Sequence, residues 1–100
     1  MRTTKKLPRE LLEPYLLPDV PFGEKGPVVD WVTLFGNSNP VEIEVGFGKG
    51  LFIITEGVAH PDRNFLGIEV MRKLQFYVAQ RAAIRTLTNV KLACTDARSF

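Results

Sequence analysis

Three closely spaced glycines, Gly46, Gly48 and Gly50, follow the apolar stretch Val41–Val45. Glycines between a strand and a helix let the backbone turn sharply and approach a ligand without Cβ atoms in the way, and the amino terminus of the helix offers free N–H groups. A dinucleotide fingerprint needs Gly-x-Gly-x-x-Gly, whereas here the third glycine arrives one residue early. Glu44 precedes the loop and would repel a pyrophosphate, so the pattern favours a ligand with a cationic end. The structural alternative is a strand-to-helix turn that binds no ligand.

A second acid, Glu69, lies at the end of another apolar stretch, nineteen residues beyond Gly50. A carboxylate at this place can accept hydrogen bonds from both hydroxyls of a ribose, because it offers two acceptor oxygens in one plane. Taken alone, Glu69 could instead be an acid that stabilises the amino terminus of the helix beginning at Met71.

A third acid, Asp96, follows the last apolar stretch of the chain. Its carboxylate can accept from the exocyclic amine of adenine, while the backbone N–H of a neighbour such as Ala97 donates to a ring nitrogen. The structural alternative is a cap for a helix that starts near Ala97.

Parallel strands bring their carboxyl ends to one edge of a sheet, and ligands of open parallel sheets lie in the crevice at that edge. Glu44, Glu69 and Asp96 each stand at the end of a predicted strand, so we expect them to converge on one small molecule. A ligand with ammonium, sulfonium, ribose and adenine groups fits three acids and a glycine loop. S-adenosylmethionine carries all four groups and is the predicted cofactor.

Strands and helices alternate after residue 40. The predicted strands are 41–45, 64–70 and 90–94, and the predicted helices are 51–59 and 71–87. The second helix has Leu74, Val78 and Ala82 at four-residue steps and contains no proline or glycine. This alternation predicts an α/β fold in which a parallel sheet is built from right-handed βαβ units.

The first forty residues have a different character. Five of the seven prolines precede residue 28, which prevents long helices and central strands there. We therefore predict two parts: residues 1–40 as a proline-rich N-terminal arm, and residues 41–100 as part of the α/β domain. The arm contains apolar residues that need burial, so we expect it to pack along the domain. A short helix is predicted over 30–35, with Asp30 as its cap.

Composition limits the class of protein. With 45% hydrophobic and 24% charged residues, the 100-residue sequence is typical of a globular domain rather than a disordered or fibrous chain. No apolar run reaches the roughly 18 residues that a membrane span needs, and no signal peptide is recognisable, so we expect a cytoplasmic protein without a membrane partner. The single cysteine, Cys94, excludes an internal disulfide and a cysteine metal cluster, and we expect no metal. Cys94 is predicted to be a small buried hydrophobic residue.

Positive charge concentrates in the second half of the chain, where residues 60–100 hold seven Lys/Arg against three Asp/Glu. On the predicted helix 71–87, Lys73, Tyr77, Arg81 and Arg85 follow each other at four-residue steps, and Arg72 lies beside them. Such a row could contact phosphate groups of a nucleic acid. The alternative is a solvated helix face that keeps the domain soluble.

Four segments together resemble the bacterial tRNA (guanine-N7-)-methyltransferases. They are Val-Glu-Ile-Glu-Val-Gly-Phe-Gly-Lys-Gly at 41–50, Pro-Asp-Arg-Asn-Phe-Leu-Gly-Ile-Glu-Val at 61–70, Leu-Thr-Asn-Val-Lys-Leu at 87–92 and Asp-Ala-Arg at 96–98. The resemblance implies a Rossmann-like class I methyltransferase fold, S-adenosylmethionine as cofactor, and tRNA as partner. It also implies that Glu44, Glu69 and Asp96 are the cofactor-binding acids.

Three departures from the family pattern affect what can be expected. Glu42 stands at a strand position that is usually apolar, so we expect it to be hydrogen-bonded or reached by solvent. Thr95 stands where the family more often has glycine, which weakens the expectation for the adenine contact. The family's Asp-Pro-Trp motif, whose acid is catalytic, does not occur in these 100 residues.

The missing motif shapes the functional expectation. No catalytic residue is assigned within this chain. The chain would supply three of the seven strands of the family's sheet and would leave the first strand at an edge. We therefore expect a fragment or an early-terminated product that holds the methyl donor and is inactive alone. An adenosyl- or nucleotide-binding module without catalysis, or a class I methyltransferase with another substrate, remain the alternatives.

Overall fold

A three-stranded parallel sheet forms the centre of the molecule. The computed structural model describes residues 6–19 and 29–99. Strand β1 is Val41–Val45, β2 is Asn64–Glu69 and β3 is Val90–Cys94, in the spatial order β1-β2-β3. Both pairs of strands are parallel. The predicted α/β class and the three strands are confirmed, with β2 ending one residue before the predicted boundary.

Four α-helices accompany the sheet in the described residues. They are α1 (Arg9–Leu12), α2 (Trp31–Phe35), α3 (Leu51–Ala59) and α4 (Arg72–Ile84). Single 3-10 turns cover Glu13–Tyr15 and Ala97–Ser99.

Helix α4 ends earlier than the sequence pattern predicts, at Ile84 rather than residue 87. Thr86 adopts a left-handed backbone conformation with φ of 50°, and the Leu87 N–H donates to the Ala82 carbonyl at 3.1 Å. This arrangement closes the last turn and redirects the chain towards β3. A threonine is an uncommon choice for such a position, so its effect was not visible in the sequence.

The two faces of the sheet are covered by different parts of the chain. On one face, Phe65 and Leu92 pack with Ile53 of α3 and Val78 of α4 in the main core. The crossover helices lie together because right-handed βαβ units added in one direction place their helices on one side of the sheet. On the opposite face, a smaller cluster of Leu66, Ile68 and Ala93 packs against Leu17 and Trp31.

The N-terminal arm packs against the domain, as predicted. The Leu17 N–H donates to the Leu92 carbonyl at 2.9 Å, and the Lys91 ammonium donates to the Pro14 carbonyl at 2.6 Å. The arm thereby covers the outer edge of β3, which removes an open strand edge. Residues 1–5 and 20–28 of the predicted arm lie outside the described residues, and the division of the chain at residue 40 stays a prediction.

The short helix in the arm is confirmed as α2. The Asp30 carboxylate accepts from the Thr33 N–H at 3.2 Å, and Gly36, with φ of 78°, ends the helix. Both are expected helix-end features. Among the described residues, no helix combines the length and apolar character required to cross a bilayer.

The outer edge of β1 has no strand partner among the described residues, as predicted. Ile43 and Val45 are 54% and 64% exposed, whereas Leu66 and Ile68, their register partners on β2, are buried. Glu42 forms an ion pair with Arg63 at 3.0 Å and is half-exposed, so the prediction for this acid is confirmed. Within residues 6–19 and 29–99, β1 is therefore an outer strand of the sheet.

Candidate functional site

The glycine loop after β1 borders open space. Gly46 and Gly48 have φ of 72° and 57°, and a Cβ placed on either would meet no other atom within 4 Å. Glycine at these two positions permits the positive φ and leaves room for a ligand next to the backbone. Gly50, with φ of 84°, differs, because its Cβ would lie 2.8 Å from the Val78 methyl groups. Gly50 therefore allows the start of α3 to pack closely against α4.

Glu69 connects the loop with the second strand. It is 9% exposed, and its Oε1 accepts from the Gly48 N–H at 3.1 Å. Its Oε2 accepts from the Met71 N–H at 3.3 Å, just before α4 begins. The helix-terminus role considered as an alternative for Glu69 is therefore present. It leaves ligand binding possible, because each carboxylate oxygen has two lone pairs and can accept a further hydrogen bond.

Glu44 lies beside the same loop in a different environment. Its Oε1 atom is buried and has no hydrogen-bond partner among the described residues. Partial burial raises the pKa of this carboxyl group above its ordinary value of 4.5. An unpartnered buried acceptor costs free energy, so this oxygen is suited to a donor from outside the described chain. Glu44 also lines a groove of about 450 Å³ together with Phe47, Lys49 and Phe52.

Asp96 is bound by Arg98, a residue to which the sequence pattern assigns no role. Arg98 donates to its carboxylate from Nη2 at 2.6 Å and from Nε at 3.0 Å, and the Arg98 backbone N–H adds a third bond at 2.9 Å. These bonds lower the pKa of Asp96 to about 2. The backbone bond is the helix-cap alternative, since it satisfies an N–H of the turn Ala97–Ser99. An adenine contact by Asp96 or Ala97 stays a prediction. The arginine two residues after the acid was the available signal for the pairing.

The three acids stand at the same edge of the sheet. Glu44 is the penultimate residue of β1, Glu69 is the last residue of β2, and Asp96 follows β3 by two residues. Glu69 is directly joined to the glycine loop, and Glu44 borders that loop, whereas the described contacts join Asp96 to Arg98. Cys94 at this edge is half-buried, whereas the sequence predicts a buried residue. It is the last residue of β3, and its thiol donates to the Val70 carbonyl at 3.6 Å.

At the Glu44 end, the residues present fit a ligand with a cationic group. The buried, unpartnered Oε1 of Glu44 suits such a group, and the open space at Gly46 and Gly48 admits a ligand next to backbone. The Oε1 atom of Glu69 lies 3.1 Å from the backbone nitrogen of Gly48 in the same loop.

The basic residues of α4 fall into two groups. Arg72 faces the arm, where its Nη2 donates to Asp19 at 2.6 Å and its Nη1 donates to Gln75 at 2.8 Å. Asp19 raises the pKa of Arg72 through this hydrogen bond. At about 100° per residue, Arg72 lies on the opposite side of the helix from Arg81, so it does not belong to the same row.

The second group is a row on the surface of α4 and the turn after it. Lys73 and Arg85 are exposed, Tyr77 is 46% exposed, and the Arg81 guanidinium lies 5.9 Å from the centre of the Tyr77 ring. Arg85 donates to the Arg81 carbonyl at 3.1 Å. We refer to Lys73, Tyr77, Arg81 and Arg85 as the α4 basic row.

Comparison with known proteins identifies similar chains. A family model described as "Putative methyltransferase" matches residues 38–100. A protein named tRNA (guanine-N(7)-)-methyltransferase from Rhodopirellula baltica is 52% identical over 65% of this chain and 24% of its own length. Proteins of the same name from Lactobacillus delbrueckii subsp. bulgaricus and Bacillus subtilis are 40% and 43% identical, over 72% and 67% of this chain. The chain spans 33% and 32% of those two relatives.

Proposed function

We propose that this chain, which belongs to the methyltransferase family whose model matches residues 38–100, holds the methyl donor for methylation of guanine N7 in tRNA. The relatives named above carry that activity in their names. The methyl donor in this proposal is S-adenosylmethionine, which supplies a methyl group on a positively charged sulfur. The proposed compartment is the cytoplasm.

The observation that carries the proposal is the buried, unpartnered Oε1 of Glu44 beside a glycine loop with open space above it. A buried acceptor without a donor favours a cationic ligand group, because the charge of the ligand then offsets the cost of desolvating the carboxylate. An NAD pyrophosphate at the same place would bring negative charge towards Glu44. The site therefore favours an adenosyl ligand with an ammonium end over a dinucleotide.

Each further residue has a defined part in the proposal. Glu69 accepts from the two ribose hydroxyls while it keeps its bonds to the loop and to α4. Asp96 accepts from the exocyclic amine of adenine after Arg98, which is 90% exposed, turns into solvent. The Ala97 N–H donates to a ring nitrogen of adenine. Gly46 and Gly48 keep side chains away from the donor, while Gly50, whose missing side chain makes room for Val78, contributes the backbone of the loop.

Methyl transfer to guanine N7 requires little chemistry from protein side chains. N7 carries a lone pair and no proton at neutral pH, so attack on the methyl carbon does not require a general base. Acceleration then comes mainly from positioning, which can supply effective molarities of about 10⁵ to 10⁸ M. Holding the donor is the part of this task that we assign to the present residues, and no catalytic residue is assigned among them.

The α4 basic row is the proposed contact for tRNA phosphates. The helix Arg72–Ile84 contains no acid, and Lys73 and Arg85 are exposed. Binding through such residues releases counterions and weakens steeply with salt. Arg72 was predicted to belong to this contact, and it would first have to exchange Asp19 for a phosphate.

A second candidate function is an adenosyl-binding module without catalysis. The observation in its favour is that the buried Oε1 of Glu44 and the open space at Gly46 and Gly48 concern the binding of a ligand and do not specify a reaction. In that case the residues of the site bind the same ligand, and no methyl transfer follows.

Calorimetry with S-adenosylhomocysteine, S-adenosylmethionine and NAD tests the proposal. We expect heat of binding with the two sulfur ligands and none with NAD. A folded sample that binds neither sulfur ligand contradicts the proposal. Assay of methyl transfer to guanine N7 of tRNA then separates the two candidates, and we expect no turnover from these 100 residues alone.

A further inference from the structure

Phe47 lies inside the glycine loop, yet its side chain belongs to the core. It stands between Gly46 and Gly48, is 4% exposed, and packs in the main core with Ile53 and Leu92. The Phe47 side chain therefore anchors the glycine loop to the core of the sheet.

Gly67 is the residue beneath that ring. A Cβ placed on Gly67 would lie 2.5 Å from Cδ2 of Phe47, 3.0 Å from Cδ1 of Ile53 and 3.2 Å from Cδ2 of Leu92. The first distance is shorter than any real contact of a Cβ atom, so a side chain at this position would have to displace the ring. Gly67 has no positive φ, and its backbone conformation is open to any residue.

The position of Gly67 makes this glycine unusual. It lies at the centre of the fully buried β2, in register with Glu44 on one side and Leu92 on the other. A glycine in the interior of a strand weakens it and commonly marks a place where another group approaches closely. Here the approaching group is the Phe47 ring.

We propose that Gly67 is a positioning residue for the glycine loop, because the absence of its side chain lets Phe47 sit deep enough to hold Gly48 against Glu69. Phe47 and Gly48 are consecutive, so a shift of the ring moves the Gly48 N–H away from Glu69 Oε1, to which it donates at 3.1 Å. The loop and the candidate ribose acceptor then lose their mutual position. The consequence for cofactor binding rests on the proposed function, whereas the consequence for the loop does not.

The test compares Gly67→Ala with a matched control and a compensating variant. The control is Gly57→Ala, another buried glycine, whose Cβ would lie 3.0 Å from Val90 Cγ2 and which does not contact the loop. The compensating variant is Gly67→Ala with Phe47→Leu, which replaces the ring edge by a smaller side chain. Two quantities are measured on each folded protein: the exchange rate of the Gly48 amide and the dissociation constant for S-adenosylhomocysteine.

We expect Gly67→Ala to accelerate Gly48 exchange and to weaken S-adenosylhomocysteine binding by about 10-fold or more, since small misplacements of a site are costly. The double variant should recover much of both losses. Gly57→Ala should leave both quantities near those of the wild type, even where its thermal midpoint falls by as much as that of Gly67→Ala.

Unchanged Gly48 exchange in Gly67→Ala overturns the proposal, and so does an equal loss in Gly57→Ala at matched stability. If Gly67→Ala does not fold, a folded double variant supports the steric pairing, and an unfolded double variant contradicts it. Failure of the wild type to bind S-adenosylhomocysteine counts against the proposed function alone, because Gly48 exchange still reports on the loop.

Discussion

The carboxylate of Glu69 accepts a hydrogen bond from the backbone N–H of Gly48 at 3.1 Å, so the end of β2 holds the turn that follows β1. The two residues are 21 positions apart in the sequence. The second oxygen of the same carboxylate accepts from Met71 at the start of α4. One buried side chain therefore fixes the relative positions of a glycine loop, a strand end and a helix start before any ligand arrives.

The first prediction concerns Glu69. Glu69→Gln keeps one acceptor oxygen and places an amide N–H₂ where the second acceptor was, so it cannot serve both the protein and two ribose hydroxyls. We expect the dissociation constant for S-adenosylhomocysteine to rise by about 10- to 100-fold, the range for loss of a charged hydrogen bond. Calorimetry measures this change. The matched control is Glu56→Gln in α3, and an equal loss in that variant would show that charge alone, and no particular contact, is responsible.

The second prediction concerns pH and Glu44. Burial raises the pKa of Glu44 in the folded protein, so folding favours its protonated form. The folded state then binds more protons than the unfolded state, and stability is lost as pH rises from 4.5 through the raised pKa. We expect Glu44→Gln to raise the thermal midpoint at about pH 7 more than at about pH 4, where the unfolded carboxyl group is itself mostly protonated.

The same substitution should weaken binding of S-adenosylmethionine, because the cationic end of the ligand loses its carboxylate. The control is Glu42→Gln, which removes an acid already paired with Arg63.

Thermal unfolding at the two pH values measures the stability change that Glu44→Gln causes. A Glu44→Gln variant with the same midpoint shift at both pH values would refute the assignment of an unpaired, desolvated carboxylate.

The third prediction concerns the α4 basic row. Lys73→Ala and Arg85→Ala should each reduce by about 1 the slope of log affinity for tRNA against log salt concentration, as expected for loss of one phosphate contact. Fluorescence anisotropy of labelled tRNA over a salt series gives the slope. Arg63→Ala is the control, since Arg63 pairs with Glu42 and lies outside the row. A slope that changes equally in the control, or in none of the variants, argues against the row as the contact.

The fourth prediction concerns Asn89, which supports the fold at the amino-terminal ends of the strands, opposite the candidate site. The two N–H groups of its buried amide are shared among the carbonyls of Gly57, His60 and Arg63, which lie 3.1, 3.1 and 3.0 Å from Nδ2. Asn89→Ala removes this donor from all three carbonyls, of which, among the described residues, only that of His60 keeps another, the Arg63 N–H at 3.1 Å, so we expect the free energy of unfolding to fall by about 1–3 kcal/mol. Urea denaturation measures the change. Binding of S-adenosylhomocysteine by the fraction that stays folded should be unaltered, and a specific loss of binding would contradict the separation of these two ends of the sheet.

The elements that follow a regular pattern could be predicted from the sequence. The strands, the helix Leu51–Ala59 and the short helix capped by Asp30 follow from apolar periodicity and local end signals. The end of α4 could not be predicted in this way, because it depends on the left-handed conformation of Thr86. Backbone conformations of this kind are selected by the packing around them.

The candidate site was predictable in its acids and glycines but not in its contacts. Glu69 accepts from Gly48, and Asp19 pairs with Arg72 53 positions away; neither partner can be read from local spacing. The depth of Phe47 depends on the space above Gly67, which only the assembled sheet defines. Sequence patterns identify residues that can do chemistry, whereas the folded chain determines which of them already have a partner.

The most direct test of the central claim, that one adenosyl ligand lies across the carboxyl ends of the three strands, is an NMR titration of the ¹⁵N-labelled chain with S-adenosylhomocysteine. We expect the amides of Gly48, Glu69 and Ala97 to shift together and to yield one common dissociation constant, while the amide of Asn89 at the opposite edge stays unchanged. Shifts confined to one strand end, or the absence of shifts in a folded sample, would contradict the claim.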